Sequence, residues 1–203
     1  MWIIKIGGSW IKNPQLNKLI DLLHRFSKFE NIVIVAGGGC FSDSVRGVFS
    51  SNMMSEKTGH FLALKATEIF SYMLKEMKKE ILLEKKIDSL LKFNKKLVIW
   101  MPSSILKEEN SFCKNWDSTS DSVATWLYNK TESKGLLFVK SIMLEKKKYK
   151  LSYLQKNNIL DKNVNKYLDK KKYLKIIGPN VIEVLDSASN WNEAILKFSE
   201  VET

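Results

Sequence analysis

Two apolar runs that each stop at a cluster of glycines constrain this chain most. Trp2-Ile3-Ile4-Lys5-Ile6 leads into Gly7-Gly8-Ser9, and Asn31-Ile32-Val33-Ile34-Val35-Ala36 leads into Gly37-Gly38-Gly39. Continuous apolar runs of this length suit strands buried on both faces of a parallel sheet. A glycine turn after such a strand exposes backbone N–H groups and leads towards a helix, whose N-terminus favours an anion. Far downstream, Asn115-Trp116-Asp117-Ser118-Thr119-Ser120-Asp121-Ser122 opens another helical pattern. Together the three elements predict a phosphate cradle at one end of a sheet.

The rest of the chain supplies the layers. Strands are predicted over residues 2–6, 31–36, 96–101 and 135–140, with a last one at Val181 to Leu185. Asn13-Pro14 starts a helix with an apolar face of Leu16, Leu19, Ile20, Leu23 and Phe26. A short helix from Ser42 is expected to bury Val45, Val48 and Phe49. A long one over 60–83 runs through Ala66, Ile69, Phe70, Met73 and Met77. A helix from Ser120 buries Val123, Ala124, Trp126 and Leu127, and a last helix carries Trp191, Ala194, Ile195 and Phe198. Residues 143–175 are lysine-rich and poorly patterned, and read as helix and loop. Strands alternating with helices predict an α/β fold, a three-layer sandwich with a mainly parallel central sheet. The 203 residues show no repeat or linker and read as a single domain, 1–203.

Composition narrows the partners. The formal net charge is +11, but the only arginines are Arg25 and Arg46, and the lysines fall in scattered blocks such as Lys78-Lys79, Lys146-Lys147-Lys148 and Lys170-Lys171-Lys172. Readers of phosphate and base edges favour arginine, so nucleic acid is not an expected partner; the charge would still attract anionic metabolites. The two cysteines, Cys40 and Cys113, have no framework spacing and fit a reducing, cytoplasmic setting. No apolar stretch approaches a membrane span, so no membrane partner is expected. A homo-oligomer is expected.

Several side chains are candidates for chemistry. Lys5 lies inside an apolar strand beside a glycine turn; it either meets an anion or snorkels to solvent at the strand end. Three glycines at 37–39 exceed what a turn needs, which points to close approach by a phosphate or carboxylate. Arg46, on the helix after that turn, could grip an anionic group or simply face water. Asp121, at a helix start, could cap that helix or orient lysines around a transferring phosphoryl group. Lys140 ends a buried strand, where open α/β sheets place their ligand crevice. His60 reads as a substrate contact or as a buried, hydrogen-bonded histidine. No Cys/His cluster has metal-ligand spacing, so no protein-held metal is predicted. Neither a Walker-type loop nor a Ser/His/Asp arrangement occurs.

The order Lys5-x-Gly7-Gly8-Ser9, then Gly37-Gly38-Gly39, then Ser120-Asp121-Ser122 resembles the amino acid kinase family. Within it, the likeness is to the archaeal-type kinases of aminomethylfuran phosphates that serve methanofuran biosynthesis. That rests on Phe41 and Val45-Arg46 after the glycines, on His60 followed by Ala63-Leu64, and on Trp116-x-x-Thr119-Ser120-Asp121-Ser122. The resemblance implies a cytoplasmic, ATP- and Mg2+-dependent kinase acting on a small phosphate-bearing substrate in one-carbon cofactor metabolism. It implies catalytic roles for Lys5, Asp121 and Lys140. Phosphate or nucleotide contacts fall to Gly7, Gly8, Ser9, Gly38 and Ser120, and substrate contacts to Gly37, Gly39, Arg46, His60 and Asp117. After Lys140 the family usually continues Asp-Val-Asp-Gly-Val/Ile-Tyr, where this chain has Ser141-Ile142-Met143-Leu144-Glu145. An amino acid or carbamate kinase of the same fold, and a non-catalytic nucleotide- or metabolite-binding homologue, are the alternatives.

Overall fold

A computed structural model describes residues 1–168 and 173–203; the lysine block at 170–172 lies outside the described residues. Among the described residues, eight strands form one sheet in the order β3-β4-β2-β1-β5-β7-β8-β6. They are β1 (Trp2–Ile6), β2 (Ile32–Ala36), β3 (Leu82–Glu84), β4 (Leu97–Trp100), β5 (Gly135–Val139), β6 (Lys148–Lys150), β7 (Leu174–Ile177) and β8 (Ser199–Glu202). Every pairing is parallel except β7 with β8, which is antiparallel. The helices are α1 (Leu16–Ser27), α2 (Gly39–Ser51), α3 (Glu56–Met77), α4 (Ile87–Leu90), α5 (Ser103–Glu108), α6 (Ser120–Lys130), α7 (Leu151–Lys156), α8 (Val181–Ser187) and α9 (Trp191–Lys197).

Strand alternation assigns the layers. Ile4 and Ile6 of β1, with Ile32 and Ile34 of β2, meet Leu19 and Leu23 of α1, Leu185 of α8 and Ala194 of α9. Ile3, Val33, Val35, Leu136 and Phe138 point the other way, against Val123, Ala124 and Leu127 of α6. Both faces of the sheet are therefore covered, which is why its central strands read as unbroken apolar runs. Lys5 shares the parity of Ile3, so its side chain is directed to the α6 layer.

The four well-patterned strands at 2–6, 31–36, 96–101 and 135–140 form as predicted, within a residue at each end. Val181 to Leu185 does not: it is helix α8, and the strand lies earlier, at β7. A short apolar run suits either state, and Gly178-Pro179-Asn180 marks the turn between them. The helix predicted over 60–83 starts earlier, with Ser55 accepting from the Thr58 N–H, and ends at Met77 before β3. Val48 and Ile69, expected inside, are exposed at the α2–α3 surface. The strands β3, β6 and β8 have no counterpart in the sequence reading; each is three or four residues long and lies near or at a sheet edge, too short for a period to emerge.

The two glycine turns touch backbone to backbone. A Cβ built on Gly8 would stand 2.0 Å from the Gly39 nitrogen, and one on Gly37 would stand 2.3 Å from the Gly8 nitrogen. Gly39 also has φ +50. The glycines are thus needed first so that the turns can pack on each other, not only for ligand approach. Gly37→Ala is expected to destabilise the protein by about 1–3 kcal/mol or more, since the neighbour is backbone and cannot swing away. Gly47, inside α2, has nothing within 4 Å of a built Cβ; Gly47→Ala should stabilise by about 0.5–1 kcal/mol. Urea denaturation of the two variants checks both signs.

Candidate active site

The carboxyl ends of β1, β2 and β5 and the N-termini of α2 and α6 surround a cavity of about 320 Å³. Three cations (Lys5, Arg46, Lys140) and two carboxylates (Asp121, Asp161) line it among the described residues. The centre is a buried charge triplet. Lys5 comes from β1, Lys140 follows β5, and Asp121 sits in the first turn of α6. Because β1 and β5 are parallel neighbours, with Lys5 opposite Phe138, the two lysines emerge side by side beneath α6. Lys5 Nζ lies 2.9 Å from Asp121 Oδ1, and Lys140 Nζ lies 2.7 Å from Asp121 Oδ2. The carboxylate therefore bridges two ammonium groups, and the cap role considered for it does not apply.

Electrostatics follow from burial. Burial opposes ionisation of Asp121, but the charges of Lys140 and Lys5 outweigh it and hold the carboxyl below its usual range. Burial pulls Lys140 down to about 8, against the raising effect of Asp121. His60 is lowered, chiefly by burial. Its Nε2 lies 3.0 Å from the Ser118 carbonyl oxygen, which can only accept, so that nitrogen carries the proton. Asp161 is raised by burial and by the neighbouring Asp121 charge.

Placement separates the sequence-predicted residues. Lys5, Gly8, Ser9, Gly38, Gly39, Arg46, His60, Ser120, Asp121 and Lys140 all line the cavity. Gly7 and Gly37 do not: the Gly7 N–H donates to the Val139 carbonyl and the Gly37 N–H to the Ile6 carbonyl, so neither is left for a phosphate. Asp117 is exposed and pairs with Lys162 at 3.5 Å, outside the cavity. Arg46 is paired with Asp43 at 2.8 Å and lies over the Trp116 ring, 5.6 Å from its centroid. The Ser9 hydroxyl donates to that of Ser141 at 2.7 Å, joining the first glycine turn to the segment after β5.

Sequence reasoning missed Asp161. Its Oδ2 accepts from the N–H groups of Thr119 (2.7 Å) and Ser122 (3.0 Å), and its Oδ1 accepts from the Thr119 hydroxyl (2.6 Å). It supplies the N-terminal cap of α6 from 42 residues away. Leu160-Asp161-Lys162 carries no motif or spacing that marks it.

A sequence model described as the Amino acid kinase family matches residues 1–189. The chain belongs to the amino acid kinase family. A curated member, the [5-(aminomethyl)furan-3-yl]methyl phosphate kinase of Methanocaldococcus jannaschii, is 31% identical over 134 residues, covering 63% of this chain and 59% of that one. The match thus spans less than two thirds of that relative's length. Among solved structures, this family member superposes on a uridylate kinase from Archaeoglobus fulgidus with a TM-score of 0.73 at 12% identity, over 99% of both chains. A UMP kinase from Ureaplasma parvum gives 0.70 at 17% identity, over 100% of this chain and 98% of that one. At such identities these likenesses establish the shared fold. Among the described residues no helix is long and apolar enough to cross a membrane, and no three His, Cys, Asp or Glu side chains are grouped to hold a metal ion.

Asp121→Asn keeps the volume but leaves two buried ammonium groups facing each other. The expected cost is on the order of 3 kcal/mol near pH 7, as for other buried pairs that lose one partner. The Lys140 titration should fall below its present value of about 8. Urea unfolding and side-chain NMR of Lys140 measure the two effects; an unchanged midpoint in both would show that the triplet is not a unit.

Proposed function

We propose that the protein is an ATP-dependent kinase that transfers a phosphoryl group to a small phosphate-bearing acceptor. The acceptor is an aminomethylfuran phosphate, converted to its diphosphate for a methanofuran-type cofactor. The observation that carries this reading is the pair of lysines locked on one carboxylate in a cavity whose other titratable groups are engaged. Asp121 is held by Lys5 and Lys140, Asp161 by Thr119 and Ser122, and His60 by Ser118. Among the described residues that line the cavity, neither carboxylate is free to act as a general base. A phosphate monoester needs none, because with a second pKa of about 6 it is mostly dianionic at neutral pH. The identity to the aminomethylfuran phosphate kinase supports the acceptor.

The chemistry then rests on charge. An oxygen of the acceptor phosphate attacks the γ-phosphorus of ATP, the bond to the β-phosphate oxygen breaks, and ADP and a diphosphate leave without proton transfer to the protein. Lys5 and Lys140 face the transferring group and offset the repulsion between the two anions. Asp121 holds both ammonium groups in place. Backbone at Gly8, Gly38 and Gly39 forms the wall on which phosphates rest. Arg46, Trp116 and His60 line the acceptor side. Both cavity carboxylates are already bonded, so the donor set fits a magnesium ion held by the nucleotide's phosphates and water rather than by a protein cage. When bound, that ion would neutralise phosphate charge.

Incubation with ATP, magnesium and a panel of acceptors, followed by mass detection, tests the assignment. [5-(Aminomethyl)furan-3-yl]methyl phosphate should give a diphosphate, while amino acids and carbamate give nothing; phosphorylation of an amino acid instead would refute the proposal. ATP binding without any product would favour a non-catalytic homologue.

A pH dependence follows from Lys140. Its ammonium is present below about pH 8 and lost above it in the free enzyme. The kcat/KM for ATP should be level up to that point and then decline. Bound phosphates favour the charged form, so the alkaline limb of kcat should lie at higher pH than that of kcat/KM. Coincident limbs would exclude Lys140 as a phosphate contact.

A further inference from the structure

We propose that Asp161 is a positioning residue of this kinase: reaching in from the segment between α7 and β7, its carboxylate clamps the turn that carries Asp121 and so sets where Lys5 and Lys140 stand. The inference rests on the phosphotransfer reading above. Three hydrogen bonds define the clamp, and they fall on both sides of Asp121, at Thr119 and at Ser122. The Asp121 backbone is thereby fixed without any use of its own carboxylate, which stays available to the lysines. A local cap would not do this as well. The residue at the N-cap position, Thr119, makes no capping bond with its own side chain, because its hydroxyl donates to Asp161 instead.

The clamp is itself anchored. Gln155 Nε2 donates to the carbonyls of Asp161 and Lys162, each at 2.9 Å. Two residues on, Asn163 Nδ2 donates to Asn115 Oδ1 at 3.0 Å and to Ser118 Oγ at 2.9 Å. Tyr167 Oη accepts from the Cys113 N–H at 2.8 Å. Residues 155–167 thus hold the polar turn 113–122 along its length, and Asp161 is the residue of that seam that both bonds the turn and, with Asn158, lines the cavity. The charged groups facing it are Asp121 from α6, Lys5 from β1 and Lys140 from the end of β5. Its own charge favours the ammonium form of Lys140. A residue that merely tied down a loop would have no such effect on a lysine of the site.

Asp161→Asn separates charge from shape. Its carbonyl oxygen still accepts from the two N–H groups, while the negative charge is gone. The expected result is a folded protein whose kcat falls about ten-fold with KM values for ATP and acceptor within about two-fold. The alkaline limb of kcat/KM should move to lower pH, because Lys140 has lost a favourable charge. Wild-type kcat with an unmoved limb would overturn the proposal, as would a loss confined to the KM for ATP, which would make Asp161 a nucleotide contact. If this variant does not fold, Thr119→Val removes a single one of the three bonds and should lower kcat in the same way without moving the limb; an unchanged kcat there overturns the clamp. Two measurements need no turnover: amide exchange at Thr119 and Ser122, which should quicken in Asp161→Ala, and the Lys140 NMR titration, which should fall in Asp161→Asn. A wild-type protein that phosphorylates no acceptor would defeat the kinase reading alone. Unchanged exchange together with an unchanged Lys140 titration would defeat the Asp161 proposal alone.

Discussion

The attraction between one buried carboxylate and two buried ammonium groups is the interaction on which the site depends. Burial of any one of these charges alone would be costly, and removal from water is what brings Lys140 down to about 8. Asp121 makes the arrangement tolerable by standing within 2.7–2.9 Å of both. The sheet supplies the geometry: β1 and β5 are parallel neighbours, so both lysines leave the same end of the sheet, and α6 crosses above them. A pair of cations prepared in this way meets an incoming anion without much rearrangement, which is the condition for electrostatic stabilisation in a site that excludes water.

Much of this could be read from the chain. Lys5 stood out because a charge inside Trp2–Ile6 needs a reason, and Lys140 because it ends the run Gly135–Val139. Parallel strands covered on both faces leave long apolar runs, and such runs are the easiest signal to see. Asp121 was legible as a charge at a helix start, but its partner was not. Two readings competed there, cap or lysine organiser, and only the fold shows that a second aspartate takes the capping role. Asp161 acts through a contact distant in sequence, within a lysine-rich stretch with no period to read. The same limit explains α8, where Val181, Ile182 and Leu185 suit either a strand or a helix until the packing against α1 decides.

The glycines illustrate a different limit. Their number pointed to close approach by a phosphate or carboxylate, whereas the group that approaches Gly8, Gly37 and Gly39 in the structure is the backbone of the other turn. Gly37 and Gly7 use their N–H groups inside the sheet, whereas Gly8, Gly38 and Gly39 face the cavity. A run of glycines therefore mixes residues that line the cavity with residues that let two backbones meet, Gly8 and Gly39 doing both, and composition alone does not separate them.

The long-range cap on α6 has a consequence for how the molecule comes into being. During synthesis the chain leaves the ribosome from its N-terminus, at about 5–20 residues per second. The strands β1, β2 and β4 and the glycine turns are all available before Asp161 emerges. Until then, the start of α6 lacks the acceptor for its Thr119 and Ser122 N–H groups. A nascent chain stalled between Lys140 and Asp161 would hold the central strands and both lysines, yet not the carboxylate that fixes the turn bringing Asp121 between them. Maturation of the site is thus tied to the later part of the chain, and an abandoned fragment would present its lysines without the order that phosphoryl transfer demands.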